Sequence, residues 1–489
     1  MGDAVEGARA IGVSPNAITP GGDTLFVSLG AANSIAVIRD DRLAGRVAAG
    51  WYPTDVLSTG NALYVLDGKG EGARANPNYR MNDDRDYIGT IEYGSLRAYP
   101  LPGGDDVAQG NPQGARGWDD PPASAVVRKN GPIAHVFLVL KENRTYDQVL
   151  GDVRAGNGDA SLAWFGRAVT PNQHALAARF GLFDNAYTSG EVSDAGHMWT
   201  DAAFANDYVE RFWPPIYGGR RELDDLSSGS GARVPADGYL WDAARRAGVS
   251  FRDYGELVDA DKAHPGRRIA DVPSLIGHID PWYPGWDLNI SDLQRLKEWR
   301  RDFKAQVSAG TLPQLELIWL PNDHTYGSKP GALAPASYVA INDYALGQMI
   351  DTLSHSNVWK SSAMFVIEDD AQDGPDHVSD QRTTMYVVSP HARGGVRHER
   401  YATVSILHTI EILLGMQPLS TYDAMAVPMA AAFVSSSDVR PYLAIAPRID
   451  VTRRNGKVAY GAALSARLDF RRPDAVPAAV MRRILAHNH

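Results

Sequence analysis

Three stretches far apart in the chain share one pattern, a continuous apolar run that turns polar within one or two residues. They are "HVFLVLKEN" (135–143), "LELIWLPNDH" (315–324) and "AMFVIEDD" (363–370). Unbroken apolar runs of this length predict strands buried on both faces, as in a parallel sheet. Between the last two, "ASYVAINDYALGQMIDTLSHS" (336–356) places Val339, Tyr344, Leu346, Ile350 and Leu353 at roughly helical spacing. "TVSILHTIEILLG" (403–415) predicts a further helix ended by Gly415. Strands alternating with helices predict an α/β domain over residues 132–489 with a mostly parallel central sheet. Residues 218–310, heavy in Arg, Asp and Gly and carrying the Trp-rich "HIDPWYPGWD", interrupt this alternation. They read as an insertion over the sheet, of the kind that walls a substrate cleft.

The first hundred residues have another texture, short strands punctuated by Gly and Pro, and they repeat. Pro15 and Pro53, Gly22 and Gly60, and Leu25-Phe26-Val27 and Leu63-Tyr64-Val65 are each offset by 38 positions (53 − 15, 60 − 22, 63 − 25). A period near 40 with paired strands per unit is that of propeller blades, and the segment resembles the YVTN repeat family of bacterial β-propellers. The resemblance covers about two units, whereas a closed propeller has roughly four to eight. Residues 1–102 are therefore expected to be a small all-β, propeller-like fragment, with an ordinary antiparallel sheet as the alternative. Residues 103–131, rich in Gly, Pro and Asp, predict a linker.

Composition narrows the function. With 44% hydrophobic and 22% charged residues the chain is an ordinary globular protein, and its formal charge of −10 provides no basic face for nucleic acid. An anionic substrate then needs a local source of positive charge, such as a metal. No cysteine is present, which excludes disulfides, thiolate catalysis and Cys-based zinc sites. No apolar run approaches the ~18 residues of a membrane span, and the N-terminus lacks the basic and apolar regions of a signal peptide. The protein is thus cytoplasmic, or its leader is absent from this chain. "MGDAVE" carries Glu6 where a myristoylation signal has Ser or Thr.

The buried runs end in Glu142-Asn143, in Asn322-Asp323-His324 and in Asp369-Asp370. Ligands of open α/β sheets sit beyond the carboxyl ends of the strands, so three such ends can converge. "FVIEDDAQDGPDHV" (365–378) crowds carboxylates that would repel one another unless a cation lies among them. Oxygen donors with an occasional imidazole suit Zn²⁺, Mn²⁺, Mg²⁺ or Ca²⁺. Each piece also has a plainer use: Glu-Asn as a cap, Asn-Asp-His as an Asx turn. A calcium loop fits poorly, because Asp369, Asp373 and Gly374 take its first, fifth and sixth positions while Ala371 and Asp380 spoil the third and twelfth. In "SGEVSDAGHMW" (189–199) a turn leads into a helix predicted to begin near His197. Ser193 falls at its N-terminal turn, either as a nucleophile beside a cation or as a helix cap.

In this order, "LKENRTYDQVLGD" (140–152), the Ser193 segment, "LPNDHTYG" (320–327) and "IEDDAQDGPDHV" (367–378) resemble the phosphoesterase family of the alkaline phosphatase superfamily. That family includes bacterial acid phosphatases and phospholipases C; some bacterial members carry a YVTN propeller. The resemblance covers about residues 131–489 and implies an alkaline-phosphatase-like α/β sandwich. It further implies that Glu142, Asn143, Asp369 and Asp370 hold one or two divalent metal ions facing Ser193, and that a phosphate ester is hydrolysed through a phosphoserine. Asp323 and His324 fall where the superfamily places second-metal or phosphate contacts, and His377 where a leaving-group acid or ligand would stand. His197 could touch the phosphate or simply pack. A periplasmic or extracellular location is implied as well. The chain departs from the superfamily in its Glu-Asn and Asp-Asp pairs, in having Ser193 where many members use threonine (Thr188 and Thr200 lie close by), and in lacking a sulfatase C/S-x-P-x-R motif. A reading of another class is a scaffold whose propeller-like surface binds a partner while the metal is structural.

Overall fold

The computed structural model describes residues 14–80, 86–102, 124–217, 231–372 and 374–456, with a few isolated positions beyond. Residues 103–123 of the expected linker, residues 218–230 of the expected insertion and Asp373 lie outside the described residues. The chain divides into two compact units, Met1–Arg74 with Ile88–Asp120, and Ala75–Tyr87 with Pro121–His489.

The first unit is all β. Strands β1 (Pro15–Gly21), β2 (Thr24–Leu29), β3 (Ser34–Arg39) and β4 (Arg42–Ala48) form one antiparallel sheet; β5 (Trp51–Ser58), β6 (Ala62–Gly70) and β7 (Ser95–Pro100) form another. The 38-residue repeat falls on the hairpins β1-β2 and β5-β6, and Gly22 turns the first of them at φ +67°, where a side chain would be strained. Phe26, Ile35, Val37, Val56, Leu63 and Val65 fill the core between the sheets. Equivalent repeat positions face opposite ways: Phe26 is buried and Tyr64 exposed, whereas Leu25 is exposed and Leu63 buried. The two repeats therefore stack head to tail, as successive blades do, but among the described residues the sheets stay open and form no closed propeller.

The second unit is α/β. In chain order its main elements are β8 (His135–Lys141), α1 (Pro171–Phe180), α2 (Ser193–Ala202), β9 (Phe251–Tyr254), α3 (Asp292–Ala309), β10 (Leu315–Trp319), α4 (Pro335–Ser354), β11 (Ser362–Glu368), β12 (Met385–Val388) and α5 (Thr403–Leu414). The central sheet runs β9-β10-β8-β11-β12, with the first four strands parallel and β12 antiparallel at the edge. Every residue of β11 is buried, as the unbroken apolar run requires. One face of the sheet (Phe137, Val139, Met364, Val366) packs on Leu346, Met349 and Ile350 of α4 and on Trp299 and Phe303 of α3. On the other, Phe365 meets Phe433.

Local signals set the ends of the helices. Ser291 caps α3 through a reciprocal pairing with Gln294, and Gly310 and Gly415 end α3 and α5 in the left-handed conformation. The expected insertion is part of the sheet as well as its cover, because β9 lies within residues 218–310 and pairs with β10. No helix among the described residues is long and apolar enough to cross a membrane.

Candidate metal and nucleophile site

Strand register builds the first row of the site. Lys141 of β8 stands beside Glu368 of β11, so Glu142 and Asp369 are the next residues on each strand, and the Asp369 N–H still donates to the Lys141 carbonyl at 3.0 Å. Asn143 then takes φ +64°, a left-handed conformation that asparagine tolerates and that turns the chain off the sheet. Beneath this row Lys141 Nζ lies 2.6 Å from Glu368 Oε1 and 2.8 Å from Asp323 Oδ2, with all three side chains buried. Asp323 Oδ1 accepts from the Glu142 N–H at 3.0 Å and from Asn342 Nδ2 at 3.2 Å. The floor thus sets one ammonium between two carboxylates and fixes the Glu142 backbone.

Helix α2 closes the site from the opposite side. It begins at Ser193, four residues earlier than the sequence suggests, and Val192 is the residue that precedes its first turn. A Cβ on Gly196 would stand 2.5 Å from the Asp369 carbonyl oxygen, so the absence of a side chain there lets the helix lie directly against the strand end. Ser193 Oγ donates to Asp370 Oδ2 at 2.9 Å and stands 3.3 to 3.4 Å from the Asn143 amide. Its hydroxyl therefore points across the cleft, not back onto its own helix as a cap would.

His197, one turn further on, reaches the same row. Its Nε2 lies 3.2 Å from Glu142 Oε1 and 3.6 Å from Asp369 Oδ2, and its Nδ1 lies 3.1 Å from Glu256 Oε2. Burial alone would lower the imidazolium pKa, but Glu256 and Glu142 outweigh it and hold it well above the ordinary histidine value. Burial, with the charges of Asp370 and Glu142 added, pushes Asp369 well above the usual carboxylate range. Asp201 rises for the same first reason, with Glu256 next.

Two contacts test whether these residues fit a cation. Asp369 Oδ2 is buried and makes no hydrogen bond. The Asn143 amide oxygen faces Glu142 Oε2 at 2.7 Å and Asp369 Oδ1 at 3.3 Å, oxygen against oxygen. Such an approach is repulsive unless the amide turns over, putting its nitrogen on the carboxylates and its oxygen 3.2 Å from Gln372 Nε2, or unless a cation lies among the oxygens. Buried like charges, an unpartnered carboxylate oxygen and a convergent amide together make a donor set that fits a divalent ion.

Not every expected residue joins this group. Glu142, Asn143, Asp369, Asp370 and Ser193 come together. Asp323 turns its carboxylate to Lys141 and to the Glu142 N–H, which makes it a support of the row. His324 Nδ1–H donates to the Thr325 carbonyl (2.9 Å), and the ring stands edge-on to Trp286, with ring centres 5.0 Å apart. His377 lies elsewhere, 2.6 Å from Asp147 Oδ2 and 3.3 Å from Asn157 Oδ1. The carboxylates of that second cluster, Asp147 and Asp376, are already paired with buried Arg382 at 3.0 and 2.9 Å. They have the cation they need.

Sequence reasoning missed Lys141, Glu256 and Trp319. Lys141 carried a signal, a lone charge inside an apolar strand. Glu256 lies two residues past the end of β9, but "FRDYGE" puts two charged residues between its apolar ones and hides a buried strand. Trp319 Nε1 donates to Glu142 Oε1 at 3.0 Å, and Trp286 from the Trp-rich stretch stacks on Trp319 with centres 5.6 Å apart. The expectation that this stretch walls the cleft thus acquires a physical link to a ligand row.

A parallel sheet whose strand ends bring acidic side chains to a serine at a helix N-terminus defines an α/β protein with a candidate metal centre. The Phosphoesterase family profile matches residues 154–417, more than half of the chain, and the protein belongs to that family. Membership places it among enzymes that hydrolyse phosphoric esters. No functionally curated protein matches the chain. Among known structures it is similar to a protein in the alkaline phosphatase superfamily from Vibrio parahaemolyticus (15% identity, TM-score 0.41, covering 60% of this chain and 68% of that one). It is also similar to the lipoteichoic acid synthase LtaP from Listeria monocytogenes (11%, 0.40, 62% and 77%). A third is the phosphonate monoester hydrolase of Agrobacterium radiobacter (13%, 0.36, 58% and 74%).

Proposed function

We propose that the protein hydrolyses phosphate esters through a phosphoserine formed on Ser193, beside a divalent cation held by Glu142, Asn143, Asp369 and Asp370. The observation that supports this most directly is the Ser193 hydroxyl 2.9 Å from Asp370 Oδ2, at the rim of a buried carboxylate row that needs positive charge. The cation, when bound, supplies charge stabilisation to the attacking oxygen and to the nonbridging oxygens of the phosphoryl group. Asp370 accepts the Ser193 hydrogen bond and so orients its lone pair toward the cleft. In the first turn of α2 the Asp194 N–H donates to Tyr217 Oη at 3.2 Å and the Gly196 N–H to the Val192 carbonyl at 2.8 Å, so what the helix offers an anion there is its dipole. His324 is linked to the row only through the Trp286 and Trp319 rings, and His377 is tied to Asp147, so neither is given a proton-transfer role.

Turnover of p-nitrophenyl phosphate and bis-p-nitrophenyl phosphate, with Zn²⁺, Mn²⁺, Mg²⁺ or Ca²⁺ added to stripped protein, tests the reading and separates mono- from diesterase activity. Ser193→Ala is expected to lower turnover by more than about a thousandfold, the scale of losing a nucleophile. Acid-quenched turnover should leave a phosphoryl group on the peptide that carries Ser193. Unchanged turnover in the variant would remove Ser193 from the mechanism.

A further inference from the structure

We propose that His197 is a nitrogen ligand of the same cation, that Glu256 is the positioning residue which orients it, and that the site consequently selects a borderline ion such as Zn²⁺ over Ca²⁺ and Mg²⁺. The inference rests on the metal reading above and adds the ligand that decides which metal is taken.

Ser193 and His197 are four residues apart on α2 and so share a face, the one turned to the strand ends. His197 Nε2 is 3.2 Å from Glu142 Oε1 and 3.6 Å from Asp369 Oδ2, and one donor atom from each of the three residues lies within 4.8 Å of the other two. Around an ion with bonds of about 2.0 to 2.2 Å, neighbouring tetrahedral ligands stand roughly 3.3 to 3.6 Å apart. Two of the three spacings required are therefore already in place. The Asp369 oxygen on this side is the buried one that makes no hydrogen bond.

The far side of the ring completes the argument. His197 Nδ1 lies 3.1 Å from Glu256 Oε2. A carboxylate behind a histidine holds the proton on Nδ1 and leaves the Nε2 lone pair aimed at the metal. Glu256 is itself anchored at the end of β9, where its N–H donates to buried Asp253 at 3.3 Å, and Asp201, one turn beyond His197 on α2, also hydrogen-bonds to it. An imidazole among carboxylates moves the donor set away from the all-oxygen cages of Ca²⁺ and Mg²⁺.

The competing account is that His197 is an imidazolium, pairs with Glu142 and Glu256, and is itself the positive charge of the cluster. The two accounts predict opposite signs. If His197 is a ligand, removing it weakens Zn²⁺ binding; if it is the resident cation, removing it strengthens binding or leaves it unchanged.

Zn²⁺ and Ca²⁺ affinities of stripped full-length protein, measured by chelator competition, decide between them. His197→Ala is expected to weaken Zn²⁺ at least tenfold and Glu256→Gln by about 10- to 100-fold, with Ca²⁺ shifted by less than about threefold on the same scale of effects. The visible spectrum of bound Co²⁺ should change in His197→Ala, and circular dichroism of each variant checks the fold. Wild-type or tighter Zn²⁺ affinity in His197→Ala overturns the proposal, as does a wild-type site that prefers Ca²⁺; wild-type affinity in Glu256→Gln overturns the role given to Glu256. Asp369→Asn with Asp370→Asn is the separate control: retained stoichiometric metal there would refute the metal site as a whole, independently of His197.

Discussion

At the scale of single residues the protein places many ionisable groups where water cannot reach them, and it treats them in two ways. In the floor of the site Lys141 is shared by two carboxylates, Asp323 and Glu368. Glu316 on β10 has no such partner: it is fully buried, accepts one hydrogen bond from Trp299 Nε1 at 2.9 Å, and leaves its other oxygen unpartnered. Burial, with Asp302 adding to it and the Trp299 bond opposing it, pushes its carboxyl up to about 8. The folded state therefore holds the proton that the unfolded chain releases near its ordinary value of 4.5. Its favourable contribution is complete below that value and is lost as pH rises through 8. Glu316→Gln, which stays neutral, should match the wild type within about 1 kcal/mol at pH 5 and exceed it by on the order of 5 kcal/mol at pH 9, at ~1.4 kcal/mol per pKa unit. Urea unfolding at the two pH values measures the difference, and equal stability gaps at both would refute the assignment. None of this was visible in "LELIWLP", because a glutamate in an apolar run gives no sign of whether it is paired, neutral or turned to solvent.

At the scale of elements, the sequence was legible wherever one periodicity ran long enough to be decided by burial on both sides. The runs at 135–143, 315–324 and 363–370 contain β8, β10 and β11; the polar ends of the first and third meet in the candidate row, and Asp323 of the second supports it. What escaped was decided by neighbours: β9 has only four residues with charges between its apolar positions, and only pairing with β10 makes it sheet. The start of α2 escaped for a related reason, since "SDAG" is turn-like in composition and becomes helical by packing against the strand end. Gly196 carries that packing. A methyl group there would meet the Asp369 carbonyl carbon at 2.7 Å and its oxygen at 2.5 Å, and backbone cannot give way as a flexible side chain can. In an isolated helix Gly→Ala stabilises, so Gly196→Ala sets propensity against contact. The contact should win: about 1 to 3 kcal/mol of stability lost to overpacking, with phosphatase activity falling further because Ser193 and His197 move with the helix. A variant as stable and as active as the wild type would show that α2 stands free of the strand end.

At the scale of the whole molecule, the boundary between the two units does not fall where composition changes. Residues up to 102 share the Gly- and Pro-rich β texture, yet Ala75–Tyr87 belong with the catalytic unit. Asn76 shows why. Its side chain accepts from the Asp376 N–H at 2.8 Å and donates to the Gly374 carbonyl at 3.1 Å, while its own N–H donates to the Asp376 carbonyl at 3.0 Å. Tyr79 adds a ring contact with Trp164 at 6.3 Å. A strap from the N-terminal part of the chain thus holds the loop that follows Asp369 and Asp370, across 300 residues of sequence. No local pattern could announce this, because the partners of an asparagine in a loop are set by the fold. Asn76→Ala removes these two side-chain bonds and a third, to the Asp86 carbonyl at 3.3 Å, and leaves the buried Asp376 N–H without that acceptor, a cost of about 1 to 3 kcal/mol. Because the loop leads directly from the ligand row, metal affinity should fall several-fold while the central sheet, which the strap does not touch, keeps its hydrogen-exchange protection. Uniform loss of protection across the sheet would instead make the strap a part of the global core, and unchanged affinity with a stable loop would mean that the ligand row is held by β8 and β11 alone.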